Sequence, residues 1–496
     1  MSDPYVSIQL ERRHPLPLYQ QLYLQLKDAI LSGKLQNGQK LDPIRRLAAR
    51  LGVNTVTVVQ AFRCLEREGL VYAQVGRGTF VASPGLNSVR TNTRVAADST
   101  REIKHDRLDS LQVPIAAESI NFATLTPAAD LFPVDDFRII LNQVLDRDRG
   151  QAFGYQESQG YYPLRCSVAS YLAREGIDCH AESIQVISGA QQGIDIIARS
   201  LLQRGDYVVT ESPTYTGALA SFHTQGARIL AVPLQADGIN LETLYLQAIK
   251  QRPKLMYVMT NFQNPTGSCY SIEKQQALLE LCRKLDMYLI EDDSFTELSY
   301  DGRERRVIKE WDQDDRVIYI KSFSKILMPG LRLAFLLAPQ KLLPQLMTAK
   351  HTADISTSGL LQRAFDLYLR QGLWKTHLAY MKKRYRGRYQ NMLEAMRLSF
   401  PAGVDFQAPQ GGLCIWVQGQ PGLSANRLYE ACLADKVVIA PGSLFYPDNH
   451  DSNQFRLSFA ALTEADISNG IPVIARHLNM FNSPNSDPRH QYSPLL

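Results

Sequence analysis

The sequence predicts an α/β protein in two parts: a small winged helix-turn-helix head, and a large domain whose mainly parallel sheet is covered by helices. Three observations carry this prediction. The chain has 496 residues, whereas a single hydrophobic core stops growing at roughly 250–300. Its excess positive charge sits in the first sixth of the sequence. From Ile120 on, short β-branched or apolar runs alternate with helical segments. The composition is 45% hydrophobic, 21% charged and 9% aromatic, which excludes bulk disorder, collagen and coiled coil.

Residues 1–83 hold eleven Lys and Arg against six Asp and Glu. The formal net charge of the whole chain is +5, so the remainder is neutral. A basic module on a neutral body suggests a polyanionic partner, although a solvated basic face explains the charge equally well.

Within this module, Leu18, Leu22, Leu26 and Ile30 form an apolar stripe that predicts a helix over 16–32. Ile44, Leu47, Ala48 and Leu51 predict a second helix over 43–51, with Pro43 suited to its start. Gly52 breaks it, and Asn54 is a good N-cap for a third helix carrying Val58, Ala61, Phe62 and Leu65. Short helix, glycine turn and capped helix make a helix-turn-helix pattern. Two short apolar runs around Gly76-Arg77-Gly78 then read as a β-hairpin wing.

The stretch LDPIRRLAARLGVNTVTVVQAFRCLEREGLVYAQVGRGTFV resembles the winged helix of GntR-type bacterial regulators over about 65 residues from Pro17. The resemblance implies binding to a double-stranded DNA operator. The helix from Asn54 would enter the major groove, Arg45, Arg46 and Thr57 would grip phosphates, and Arg77 would reach the minor groove. The chain departs from the family in having Asp42-Pro43 where Pro-Ser is usual, and Thr55 where an Arg is usual. Arginine to guanine is the commonest specific base contact, so the operator sequence is not implied.

Residues 84–118 are polar and without sustained period, and read as a linker. Residues 119–482 form the large domain, and 483–496 read as a disordered tail. Strands are expected at Ile184–Ile187, Tyr207–Thr210, Leu255–Thr260, Met287–Ile290 and Val317–Ile320.

Four motifs sit where these strands end. In ISGAQQGIDII, a glycine loop opens a helix, an arrangement that offers free N–H groups to a phosphate. NFQNPTG is a polar turn after a strand. LIEDDSF places two adjacent carboxylates at the end of an apolar strand, which is costly unless they serve a cation or a protonated ring nitrogen. In IKSFSKILMPGLRLAF, Lys325 lies in a mostly apolar run, where a lysine can lose its proton and attack an aldehyde. Ser322 and Arg332 flank it and could converge on one phosphate.

Together and in this order, the four resemble the fold-type I pyridoxal phosphate enzymes of the aspartate aminotransferase superfamily, over roughly residues 119–480. The resemblance implies pyridoxal 5'-phosphate bound covalently to Lys325. Asp292 would pair with the ring nitrogen, Asn264 would bond the ring 3-hydroxyl oxygen and Tyr215 would stack on the ring. Gly189, Ala190, Gln191, Ser322 and Arg332 would hold the phosphate, and Tyr155 would reach the phosphate of a neighbouring subunit. Arg456, in FRLSFA, would bind a substrate or effector carboxylate. Phe295 stands three residues after Asp292, where aminotransferases usually keep a tyrosine that donates to the 3-hydroxyl oxygen.

A GntR-like head, a linker and an aminotransferase-like domain in one chain resemble the MocR-type regulators. That implies a homodimer, with heads and large domains exchanged, that senses an amine, an amino acid or the cofactor itself. The alternative is a working aminotransferase with a DNA-binding appendage. Seven cysteines without a C-x-x-C pair indicate neither a disulfide framework nor a zinc site, and no metal is expected. The start Met-Ser-Asp-Pro lacks a signal-peptide pattern, and no apolar run reaches membrane-spanning length. The expectation is a cytoplasmic protein that makes no membrane contact and joins the nucleoid when bound to DNA.

Overall fold

The computed structural model describes residues 8, 10, 11, 17–32, 34–36, 38–67, 70–74, 78–81 and 118–482. Arg77, most of the expected linker and the expected tail lie outside the described residues. The chain divides into two units, Met1–Arg101 and Glu102–Leu496.

The first unit contains helices α1 (Leu18–Leu31), α2 (Ile44–Leu51) and α3 (Thr55–Arg67) and an antiparallel hairpin of β1 (Val71–Gln74) and β2 (Gly78–Val81). The apolar stripes supply its core: Leu22 and Leu26 from α1, Leu47 from α2, and Val58, Phe62 and Leu65 from α3. Gly52 closes α2 at φ +62°, a left-handed conformation that glycine adopts without penalty. Asn54 caps α3, its Oδ1 accepting the Val56 N–H at 3.0 Å. The hairpin is tied to the approach to α2, where Leu41 N donates to Thr79 O and Val81 N to Gln39 O.

The second unit is built on eight strands: β4 (Ile184–Ile187), β5 (Tyr207–Ser212), β6 (Arg228–Gln235), β7 (Gly238–Ile239), β8 (Leu255–Val258), β9 (Tyr288–Asp293), β10 (Val317–Ser322) and β11 (Ala334–Leu337), in the order β4-β11-β10-β9-β8-β5-β6-β7. The run β10-β9-β8-β5-β6 is parallel, while β11 runs antiparallel to both its neighbours. Alternation along the strands feeds two apolar cores. Val208, Leu255, Tyr257, Ile290 and Ile320 face one side; Val209, Met256, Val258, Leu289 and Val317 face the other.

A short parallel pair, β3 (Ile120–Asn121) and β14 (Val437–Val438), joins the start of this unit to its C-terminal part. There β12 (Asp405–Phe406), β13 (Cys414–Gln418), β15 (Ala440–Pro441) and β16 (Gln454–Ser458) form an antiparallel sheet in the order β12-β13-β16-β15.

Strands β5, β9 and β10 continue two or three residues beyond the ends expected from hydrophobicity, into Ser212, Asp293 and Ser322. Their neighbours keep pairing there, so the ladder carries polar side chains at its C-terminal edge. Among the described residues, no helix is long and apolar enough to cross a membrane.

Candidate cofactor site

The C-terminal edge of the parallel strands collects the predicted side chains. Asp292 is the next-to-last residue of β9 and is buried. Tyr257 Oη, from the neighbouring strand β8, donates to its Oδ2 at 2.7 Å, and Ser294 Oγ donates to Oδ1 at 3.2 Å. Burial pushes the Asp292 carboxyl up to about 6, against these two hydrogen bonds.

Asp293 points to the opposite face, because successive side chains alternate across a strand. Its register partner on β10 is Lys321, whose Nζ lies 2.9 Å from Asp293 Oδ2 and 2.7 Å from Glu297 Oε1. Tyr319 Oη also donates to Asp293, at 2.5 Å. Burial alone would raise the Asp293 carboxyl, but Lys321 and Tyr319 outweigh it and hold it below its ordinary range. The two adjacent carboxylates thus serve different sides of the sheet.

Lys325 lies in the turn that carries the chain from β10 back into β11. Burial first, then the positive charges of Arg456 and Arg332, lower its ammonium to about 8 against the opposing pull of Asp292. Ser322, at the end of β10, is buried on the Asp292 face of the sheet.

The glycine loop runs from β4 into the helix Ala190–Leu201. Gly189 has φ +95°, so the backbone demands glycine, and a Cβ there would fall 2.5 Å from Arg332 Nη2 and displace that guanidinium. Arg332 Nη2 donates to Ser188 O at 2.7 Å and leaves the guanidinium beside the loop. The N–H groups of Ala190 and Gln191 have no acceptor among the described residues. The Gln191 side chain is turned away from that opening, donating to Gly217 O and Ser221 Oγ at 2.9 Å each.

Tyr215 Oη donates to Gln191 Oε1 at 3.2 Å, and burial lifts its phenol to about 12. Asn264 is buried, and its Oδ1 accepts from Arg456 Nη1 at 2.6 Å. Arg456 comes from β16, also donates to Ala123 O, and stands 4.9 Å over the Phe445 ring. Its Nε is buried without a hydrogen-bond partner. Tyr155 stands apart from this group and is 84% exposed.

Sequence reasoning missed the side chains that hold these. Tyr257 read as one more apolar strand residue. Gln263 and Glu211 were also passed over. Gln263 Nε2 donates to Glu211 Oε2 at 3.1 Å and to Pro213 O at 2.8 Å, while its Oε1 accepts from Thr266 N and Oγ1. All four hydrogen-bonding positions of this amide are filled, and it joins the loop bearing Tyr215 to the loop bearing Asn264. A Gln beside the NPTG turn was the available signal.

In the first unit, Thr55 is exposed at the start of α3 and Thr57 is half-buried one turn in. Arg46 is exposed on α2, and Arg45 is placed there by its backbone. Asp42 Oδ2 stands 4.0 Å from Arg46 and 3.7 Å from Arg50.

The profile of the aminotransferase class I and II family matches residues 130–474, and that of the bacterial regulatory proteins, gntR family, matches residues 18–81. Aromatic-amino-acid aminotransferase 1 of Thermococcus litoralis is 32% identical over 74% of this chain and 89% of its own. The HTH-type transcriptional regulator YdcR of Escherichia coli is 30% identical over 89% and 95%. The probable rhizopine catabolism regulatory protein MocR of Rhizobium meliloti is 27% identical over 93% and 94%. Among solved structures, kynurenine aminotransferase of Pyrococcus horikoshii, in complex with PMP, superposes with a TM-score of 0.71 at 31% identity, covering 74% of this chain and 92% of the other.

Proposed function

The chain belongs to the aminotransferase class I and II family and to the MocR-type regulators built on that fold, and from that premise we propose that it senses an amine or amino acid through pyridoxal 5'-phosphate held at Lys325. The single observation that carries this reading is the pairing of a lysine lowered to about 8 with a buried carboxyl, Asp292, whose hydrogen-bond donors are both neutral hydroxyls.

The residues present fit the cofactor. Two unpaired N–H groups at a helix N-terminus and the adjacent Arg332 guanidinium suit a phosphate dianion. Asp292 suits a protonated pyridine nitrogen, which would relieve the cost of an ionised carboxylate in that burial. When bound, pyridoxal phosphate supplies an aldehyde carbon open to amines and an electron-withdrawing ring.

The chain's own groups do the rest. With its ammonium near 8, about one Lys325 in ten is unprotonated at pH 7, against fewer than one in a thousand for an exposed lysine. Asp292 would hold a proton at the ring nitrogen, Tyr215 would cover a ring face and Asn264 would hold a ring-edge oxygen. Asn264 also receives Arg456, so the group that orients the cofactor edge is bonded to the group that would clamp an effector carboxylate. Occupancy of Arg456 would therefore be felt at the ring through Asn264 alone.

Tyr155, with Phe153 and Ile139 also exposed, supports a homodimer in which Tyr155 reaches the neighbouring subunit's site. Arg45, Arg46, Thr55, Thr57 and Arg77 would contact operator DNA, with Asn54 fixing the start of α3.

The aminotransferase relatives favour a second reading, in which the same site turns over. One experiment separates the two. The visible band of the loaded protein is followed during titration with a panel of amines and amino acids, and DNA affinity is measured with each responder. A persistent spectral change with a ligand-dependent affinity, both lost in Lys325→Ala, supports the sensor. Turnover near ~10 per second with a keto acid acceptor, and DNA affinity indifferent to ligand, supports the enzyme.

A further inference from the structure

The neutral body of the chain conceals a strongly basic helix. Leu373–Ser399 runs for 27 residues and holds seven Lys and Arg against one acid, Glu394. The rest of residues 84–496 is correspondingly acidic, which is why the summed charge is zero. The helix packs through Trp374, Met381, Tyr385, Met392 and Met396. At 3.6 residues per turn, Lys375, Lys382, Lys383, Arg386 and Arg397 fall within an arc of about 100° on another side.

Lys375, Lys383, Arg386 and Arg397 are exposed. None of these four forms an ion pair with a described residue, whereas Arg384 and Arg388 both approach Asp130, at 3.9 and 3.8 Å. The chain thus neutralises the helix's other side and leaves this one bare.

We infer that this face of helix Leu373–Ser399 is a second contact surface for double-stranded DNA, engaging phosphates outside the part held by the winged head. The inference rests on the reading of the head as the DNA-binding module. The occupant follows from charge. Like-charged arms about 5–17 Å apart along one line suit a strand whose phosphates recur every few ångströms, with no base recognition required. A second copy of the chain is disfavoured, because a two-fold contact would set this basic face against itself. The exposed positions of the face carry no aromatic or aliphatic anchor of the kind that dominates protein–protein contacts; between its cations lie the exposed Ala379 and Gln390 and the buried Leu393.

The test uses the full-length chain and a random-sequence duplex of about 60 base pairs, with affinity measured across ~50–200 mM salt. The triple variant Lys375→Ala/Lys383→Ala/Arg386→Ala should flatten the slope of log affinity against log salt by about 2–3. A charge-matched triple on other exposed sites, Lys250→Ala/Lys284→Ala/Lys341→Ala, should leave the slope within about 1 of the parent. An unchanged slope in the first triple overturns the inference, and so does an equal change in both, which would make net charge the whole cause. Arg46→Ala reports separately on the head. If it weakens binding while the helix triple does not, this inference alone fails; if it has no effect while the helix triple does, the assignment of Arg46 fails and the helix surface stands.

Discussion

Tyr257 donates its hydroxyl to Asp292 across 2.7 Å, from one parallel strand to the next. The bond is buried and joins the residue meant for the ring nitrogen to a side chain that is not itself assigned to the cofactor. It therefore offers a handle on Asp292 that leaves the carboxyl in place. Tyr257→Phe removes a bond that favours the ionised form, so the Asp292 carboxyl should move above about 6. The cofactor should then be held less tightly, with the loss steepest at acid pH. Equilibrium dialysis of pyridoxal phosphate between pH 5 and 8 checks it, and affinities parallel to the parent at every pH would reject the role.

Asp292 also sets a pH dependence of stability in the cofactor-free chain. Its carboxyl titrates near 6 when folded and near 4 when unfolded. Because the folded value is the higher, the folded chain binds the extra proton between them. The contribution of Asp292 to stability is therefore greatest below about pH 4, falls towards about pH 6, and is level above. Asp292→Asn should abolish this fall and leave the cofactor-free protein roughly 2–3 kcal/mol more stable at pH 7, while cofactor retention drops. Thermal melts from pH 4 to 8 decide it; equal pH profiles for the two proteins would refute the assignment.

Loading with pyridoxal phosphate should quicken as pH rises through about 8 and level off beyond, because the lowered Lys325 ammonium must lose its proton to react. Lys325→Ala should show no visible band and no borohydride-trapped adduct. A trapped adduct mapped to another lysine would overturn the choice of Lys325.

Gln263→Leu should destabilise the fold by about 2–4 kcal/mol, since it leaves the Pro213 carbonyl and one Glu211 oxygen short of a donor. Chemical denaturation measures the loss, and a variant as stable as the parent would show that the two loops are not joined through this amide.

Asp42 tempers the head. It stands within 4.0 Å of both Arg46 and Arg50, where the GntR resemblance leads one to expect an uncharged residue. Asp42→Ser should tighten duplex binding and steepen its salt dependence by up to about 1, by freeing a guanidinium for phosphate. Anisotropy titration gives the result directly, and a weaker or unchanged affinity would place Asp42 outside the phosphate contacts.

The parts of this architecture written in apolar periodicity were legible in the sequence. The three head helices and the expected core positions Leu22, Leu26, Val58 and Phe62 follow from spacing alone. The loop residues of the site were legible because polar motifs at strand ends have few other uses. Three things were not. The ends of β9 and β10 were read short, because Asp293 and Ser322 are polar yet remain paired by their neighbours, while β8 stops at Val258, two residues before its expected end. β6 and β11 carry no boundary that distinguishes them from surrounding apolar sequence. Tyr257 and Gln263 act through partners 35 and 52 residues away in the chain, a relationship that no local pattern encodes. The basic helix escaped for a different reason: its charge was averaged away over the whole body.

The alternation that sends Asp292 forward and Asp293 backward has an evolutionary corollary. Point substitution can alter either aspartate while sparing the other, so cofactor affinity and the buried Lys321 pair are open to separate selection. Changes in chain length are not so forgiving. Losing one residue upstream within β9 would exchange the two, offering the ring the carboxylate that had been neutralised and burying behind the sheet the one that had not. Losing two would restore the phase. Lineages of this fold should therefore tolerate substitution along β9 far more readily than single-residue indels, and any indels that survive there should come in pairs.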